Sequence, residues 1–187
     1  VIIGAGVMGQ GLAEAVATAG HEVTLIDRTT KIAEKAVKSI GESLNREISR
    51  WGLTTSEKKA ILARIYPSSD LSEADEAEII LEAIPEDVAK KRALLEKLDQ
   101  ICDREAMYIT NTSTLSISEI AANSQHPERV IGMHFLNPVT KIPVVEIVKG
   151  LKTDQEAFQK AVQLAECLEK KWITVIEYPG YVTTRII

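Results

Sequence analysis

Val1-Ile2-Ile3-Gly4-Ala5-Gly6-Val7-Met8-Gly9 opens the chain, and Glu22-Val23-Thr24-Leu25-Ile26-Asp27 follows after one helical interval. These two stretches decide the fold. Val1-Ile2-Ile3 is an apolar run that stops at a glycine turn, after which Leu12, Ala15, Val16 and Ala19 recur at helical spacing until Gly20. The second run is β-rich and ends on a carboxylate. Strand, tight turn, helix and strand make one βαβ unit. A glycine pattern alone is weak evidence, but here it falls between a strand and a helix, with Asp27 placed 18 positions past Gly9, close to the ~20 expected of a dinucleotide-binding unit. Gly4 permits the tight turn, Gly6 lets backbone approach a pyrophosphate, and Gly9 lets helix and strand pack closely. The helix start supplies free N–H groups and partial positive charge. Asp27 is placed to accept hydrogen bonds from ribose hydroxyls and to repel a 2′-phosphate, which favours NAD over NADP. Arg28, next to Asp27, is the counter-signal, since a guanidinium there can pair with such a phosphate.

Outward from this unit, strands and helices alternate. Either Thr29 or Thr30 is placed to cap a long helix reaching about Arg50, with Ile32, Ala36, Ile40, Leu44 and Ile48 on one face and Trp51-Gly52 at its end. Its length predicts a projecting arm. Thr54-Thr55-Ser56-Glu57 resembles a capped helix start, leading through Leu62 to a strand near Arg64 to Tyr66. Glu78 to Ile84 is predicted as a buried parallel strand ended by Pro85, with a helix from about Asp87 to Ile101. Met107 to Thr110 is a strand, Asn111 to Thr114 its turn, and Ser116 to Asn123 a helix. Strands at Arg129 to His134, Val144 to Val148 and Trp172 to Ile176, with an amphipathic helix at Asp154 to Lys170, complete a doubly wound, mainly parallel α/β sheet of Rossmann type.

The composition suits one such domain. The chain has 187 residues, 45% hydrophobic and 26% charged, enough for a real core and too apolar for disorder. A net charge of -5 argues against a coat for nucleic acid or an anionic membrane. No apolar run approaches the roughly 18 to 20 residues of a membrane span, and the N-terminal stretch lacks a basic segment ahead of a short apolar run, so a soluble, cytoplasmic-type protein is expected. Cys102 and Cys167 lie far apart without neighbouring Cys or His ligands; buried structural thiols and no metal site are expected.

Three further stretches bear on chemistry: Asn111-Thr112-Ser113, then His134-Phe135-Leu136-Asn137-Pro138, then Glu146 within Val144-Val145-Glu146-Ile147-Val148. A histidine titrating near neutrality can take the proton of a secondary alcohol, and His134 follows an apolar strand, where its ring can project at the ligand-binding edge of the sheet. Glu146 interrupts an apolar strand, where an unpaired charge is costly, so it is placed to hold the ring and stabilise its charged form. A structural histidine and a glutamate on the exposed face of an edge strand are the alternatives. Ser113 and Asn137 can each hydrogen-bond a substrate oxygen or a nicotinamide ribose, or simply form turns. His21 and His126 read as solvated loop residues.

Together with the glycine turn, Asp27, Glu82-Ala83-Ile84-x-Glu86 and Pro179-Gly180, these stretches resemble the L-3-hydroxyacyl-CoA dehydrogenase family over nearly the whole chain. The resemblance implies reversible oxidation of L-3-hydroxyacyl-CoA to 3-oxoacyl-CoA in fatty acid oxidation, with NAD as cofactor. It implies His134 and Glu146 as the catalytic pair and places Ser113 and Asn137 on either side of the reacting carbon. A cofactor surface follows from Gly4, Gly6, Val7, Met8, Gly9, Asp27, Arg28, Ala83, Ile84, Glu86, Lys91, Asn111, Ser113 and Asn137, Lys91 having the alternative of an ordinary solvated helix lysine. The helical arm implies a CoA contact near Ser43 and Arg50; the basic face of Lys31, Lys35, Lys38, Arg46 and Arg50 either attracts CoA phosphates or, as charge runs on helices usually do, simply meets water.

The chain departs from the family in places. After Asn137-Pro138 it reads Val139-Thr140-Lys141-Ile142-Pro143, where the family continues with a second proline and a methionine-lysine pair. Ile142-Pro143 resembles gulonate- or carnitine-type dehydrogenases of free hydroxy acids. Gly180-Tyr181-Val182-Thr183-Thr184-Arg185 replaces Gly-Phe-x-x-Asn-Arg, so Thr184 stands where the family has a substrate-binding asparagine. Residues 1–180 are expected to form the NAD-binding domain and 181–187 to begin a helical C-terminal domain through which relatives dimerise. A domain of this kind standing alone would be an NAD-binding module without turnover.

Overall fold

Near-continuous apolar runs such as Met107–Thr110 and Val130–Phe135 turn side chains to both faces of the sheet, and helices cover both here. The computed structural model describes residues 1–50, 52–102, 105–178 and 180–182. The first unit is β1 (Ile2–Ile3), α1 (Val7–Thr18) and β2 (Val23–Ile26). There follow α2 (Thr30–Ser49), α3 (Thr55–Leu62), β3 (Ile65–Ser68) and β4 (Ile79–Glu82). α4 (Val88–Leu98), β5 (Met107–Thr110), α5 (Ile117–Ile120), β6 (Val130–Phe135), β7 (Val144–Lys149), α6 (Gln155–Cys167) and β8 (Lys171–Ile176) complete the order. The sheet runs β3-β2-β1-β4-β5-β6-β7-β8. β1 to β6 are parallel neighbours, β7 is antiparallel to β6, and β8 is parallel to β7. The strand order reverses between β1 and β4, the crevice where ligands of such sheets bind.

The alternation Met107-Tyr108-Ile109 shows how the two cores divide. Met107 and Ile109 join Leu12, Ala36, Ile40, Leu44 and Ala161 on one face. Tyr108 joins Leu95, Leu98, Ile117 and Ile120 on the other. Local signals set the helices. Thr29 caps α2 by accepting from the Ile32 N–H, and α2 buries Ala33, Ala36, Ile40 and Leu44; Ile40 and Leu44 alone contribute about 3–6 kcal/mol of burial. Thr54 and Glu57 form a reciprocal capping box at α3.

Several expectations change. The helix predicted from Ser116 to Asn123 is α5 only as far as Ile120, and a 3-10 turn carries Ala121–Asn123. α4 stops at Leu98, short of Ile101, and α6 at Cys167, where Glu169 takes a positive φ of 55°. The thiols are not both buried: Cys102 is half-buried and Cys167 exposed, with Sγ 3.0 Å from His21 Nε2. Helix has not begun at Tyr181 and Val182, which lie in a turn. Trp51, Pro179, Thr184 and the rest of 183–187 lie outside the described residues. Among the described residues no helix is long and apolar enough to cross a membrane.

Candidate active site

The carboxyl ends of β1, β2, β4, β5 and β6 meet at one edge of the sheet, and each contributes a loop to the site. At Gly4, φ is +103°, and a Cβ there would lie 2.7 Å from the Ala83 carbonyl oxygen. A Cβ on Gly9 would stand 1.7 Å from the Gly4 carbonyl oxygen. Both glycines are therefore required by close backbone approach. Gly6 differs: no atom lies within 4 Å of a Cβ built on it, and no side chain caps α1, which it begins. The first N–H groups of a 12-residue helix thus face open space beside an exposed Val7 and a half-buried Met8, the geometry that accepts a pyrophosphate. Asp27 sits at the end of β2 with Oδ2 accepting the Ala5 N–H and Oδ1 the Arg28 N–H, each at 2.7 Å. Its carboxylate is thus aimed by the glycine turn. The Arg28 side chain is 90% exposed and 3.8 Å from Asp27. An open cradle that only glycine leaves free, with a fixed carboxylate beside it, fits a dinucleotide.

Beneath the turns after β4 and β5 lies a buried ion pair. Lys91 of α4 places Nζ 2.6 and 2.8 Å from the two oxygens of Glu82, and both side chains are 0% exposed. Thr110 Oγ1 (2.6 Å) and the Ile84 N–H (2.7 Å) also donate to Glu82. Burial pushes the Glu82 carboxyl up, and these donors oppose it by favouring the ionised form. Lys91 Nζ is 3.8 Å from Glu86 as well. Glu86 Oε1 accepts from Thr112 Oγ1 (2.5 Å), the Ser113 N–H (2.9 Å) and the Thr114 N–H (3.1 Å). Burial raises the Glu86 pKa, but these hydrogen bonds and Lys91 outweigh it and leave it lowered. Glu86 therefore stays ionised and organises the Asn111–Thr114 turn. The solvated-lysine alternative for Lys91 is overturned, because Glu82 draws its ammonium inside the domain.

His134 stands directly opposite Glu146 in the β6–β7 ladder. Nδ1 is 2.5 Å from Glu146 Oε2, with His134 7% and Glu146 0% exposed. A carboxylate on Nδ1 fixes the ring and leaves Nε2 to exchange protons with a ligand. The alternative of an exposed glutamate on an edge strand is overturned, since β8 covers β7. Glu146 Oε1 accepts the Val182 N–H at 3.0 Å, and the Tyr181 ring lies 5.8 Å from the imidazole. Asn111 Oδ1 accepts the Phe135 N–H at 3.1 Å, tying the β5 turn to the strand that carries His134. Asn137 is exposed just beyond β6, and its peptide bond to Pro138 is cis. Buried Lys170 holds the loop that follows through the Val139 and Ile142 carbonyls, at 2.7 and 2.8 Å.

The sequence pattern of the 3-hydroxyacyl-CoA dehydrogenase NAD binding domain family matches residues 1–178, which include both the glycine-turn cradle and the His134–Glu146 pair. The chain belongs to this family. It is 39% identical over 187 residues to a protein of Bacillus subtilis named a probable 3-hydroxybutyryl-CoA dehydrogenase, covering 100% of this chain and 65% of that one. It is 33% identical to the 3-hydroxybutyryl-CoA dehydrogenase of Clostridioides difficile, covering 100% of this chain and 66% of that relative. A solved (S)-3-hydroxybutyryl-CoA dehydrogenase from Ralstonia eutropha superimposes with a TM-score of 0.96 at 36% identity, over 99% of this chain and 65% of that one. The chain thus spans about two thirds of the length of these relatives.

Within this 3-hydroxyacyl-CoA dehydrogenase domain, most of the sequence-predicted residues converge. Gly4, Gly6, Gly9, Asp27, Ala83 and Ile84 line or support the cradle, and Glu86, Lys91, Asn111 and Ser113 form one bonded network. Ser43 faces α1 and hydrogen-bonds Glu14, a carboxyl pushed up by burial. Arg50 is exposed at the end of α2, and Lys31, Lys35, Lys38 and Arg46 are exposed along it. The arm adjoins the loop after Asn137 through Lys141 Nζ, 2.8 Å from Glu47. Sequence reasoning missed the roles of Glu82 and Tyr181. Glu82 ends an apolar strand, the same signal that singled out Glu146. Among the described residues no group of three or more His, Cys, Asp or Glu side chains could hold a metal ion.

Proposed function

We propose that this chain is the cofactor-binding and proton-transfer part of an enzyme that interconverts L-3-hydroxyacyl-CoA and 3-oxoacyl-CoA, with NAD rather than NADP. The observation that carries the reading is the His134–Glu146 pair, 2.5 Å apart and buried at the sheet edge that also bears the glycine cradle. When bound, NAD supplies the hydride acceptor. His134 Nε2 takes the hydroxyl proton, and Glu146 stabilises the imidazolium that results. Ser113 and Asn137 hydrogen-bond the substrate oxygen and the nicotinamide ribose. Asp27 binds the adenosine ribose hydroxyls and disfavours a 2′-phosphate, while Arg28 extends into solvent. Glu86 shapes the Ser113 turn, with Lys91 supporting it from below. Ser43, Arg50 and Thr184 contribute to holding the acyl-CoA. The whole protein is read as a cytoplasmic homodimer assembled through a helical domain beyond residue 180.

The names of the relatives support a CoA ester as substrate. They do not favour the free hydroxy acid that Ile142-Pro143 brought to notice. The test is NADH oxidation by the full-length protein with acetoacetyl-CoA and, separately, with acetoacetate. Faster turnover of the CoA ester supports the reading, and equal or faster turnover of the free acid refutes it. Binding of NADH without turnover of either would identify a binding module.

A further inference from the structure

The segment after β8 carries contacts that the proposed reaction leaves unused. Glu177 accepts from Ser116 Oγ at 3.0 Å and the Ser118 N–H at 2.8 Å, anchoring the start of the segment to α5 and its cap. Four residues on, Tyr181 is 3% exposed and donates its hydroxyl to the Leu115 carbonyl at 2.7 Å. Leu115 lies two positions beyond Ser113. The Tyr181 N–H returns to the Tyr178 carbonyl at 2.9 Å. Between these bonds Gly180 and Tyr181 have φ of 83° and 43°. A left-handed conformation is unfavourable for a bulky aromatic residue and persists only where its surroundings hold it. What it achieves is directional. With the ring packed 5.8 Å from the imidazole of His134, the next N–H, that of Val182, points at Glu146 Oε1 from 3.0 Å.

We propose that Tyr181 is a positioning residue that clamps the catalytic pair to the Ser113 turn, its hydroxyl gripping Leu115 while its backbone presents the Val182 N–H to Glu146. The inference rests on the reaction proposed above. Glu146 has one oxygen for His134 and the other for Val182, so both carboxylate oxygens are engaged and the carboxylate cannot rotate without breaking a bond. Phenylalanine would keep the ring against His134 but would release Leu115, leaving the Asn111–Phe135 bond to tie the turn to β6 and removing the tie through the Tyr181 segment.

The test is Tyr181→Phe in the full-length protein, read by amide hydrogen exchange and by kinetics. A lost neutral hydrogen bond corresponds to a factor of about five. The expected result is exchange at Val182 faster by about fivefold or more with the amides of Val130–Phe135 unchanged. Alongside it, kcat falls by about fivefold, while the NADH dissociation constant stays within about twofold. An unchanged Val182 amide, or one that quickens only in step with Val130–Phe135, overturns the clamp. A quickened amide with unaltered kcat overturns its positioning role. If the wild-type protein turns over no hydroxyacyl-CoA but its Val182 amide responds to the substitution, the reaction is wrong and the clamp stands.

Discussion

Replacing Lys91 with Met removes the positive half of a completely buried ion pair and leaves Glu82 in place. Two short contacts, at 2.6 and 2.8 Å, disappear, while Thr110 Oγ1 and the Ile84 N–H continue to donate to the carboxylate. Stranding one member of such a pair costs about 3–5 kcal/mol, a large share of the ~5–15 kcal/mol that holds a domain folded. The loss depends on pH, and its sign follows from burial. Burial already raises the Glu82 pKa, and without Lys91 it rises further, so the folded state keeps a proton that the unfolded chain has released. The folded state then binds more protons, and stability falls as pH rises above the ordinary carboxylate value, by at most ~1.4 kcal/mol per pH unit. Urea unfolding followed by circular dichroism should show a larger loss at about pH 8 than at about pH 5. Adding Glu82→Gln to Lys91→Met should recover part of the loss, because no charge is then buried. A loss under about 1 kcal/mol at about pH 8, or a greater loss in acid, would refute the reasoning.

Two further substitutions probe the cradle. Gly9→Ala puts a methyl group 1.7 Å from the Gly4 carbonyl oxygen, so α1 must separate from the turn. NADH fluorescence titration should show affinity reduced by about a hundredfold or more, and a loss under about tenfold would mean the packing can adjust. Asp27→Ser removes the carboxylate that the Ala5 N–H orients and leaves the exposed Arg28; the preference for NADH over NADPH should fall by about tenfold or more, and an unchanged ratio would assign cofactor choice elsewhere.

What could be read from the sequence were features carried by neighbouring residues. The glycine turn with Asp27, the Thr29 cap and the Thr54–Glu57 box each lie within one element or one βαβ unit, so local spacing reveals them. His134 and Glu146 were legible for a different reason: a charge inside an apolar strand demands a partner, and their motif supplied one. Lys91 was obscured because a helix lysine ordinarily meets water; only the packing of α4 behind β4 and β5 shows its ammonium turned onto Glu82 and the Asn111 carbonyl. Tyr181 depends on contacts to Leu115 and His134, far away in the chain, and no periodicity encodes them. Cys167 was misjudged by residue type, since it ends α6 on the exposed side beside His21.

His134→Gln in the full-length protein, assayed in parallel for NADH binding and for acetoacetyl-CoA reduction, is the most direct test. Glutamine can still donate to Glu146, so the carboxylate is not stranded, but it cannot carry the proton. The account predicts turnover lower by about 10²–10⁴-fold with NADH affinity within about threefold of wild type. Turnover close to wild type, or cofactor binding lost together with activity, would contradict it.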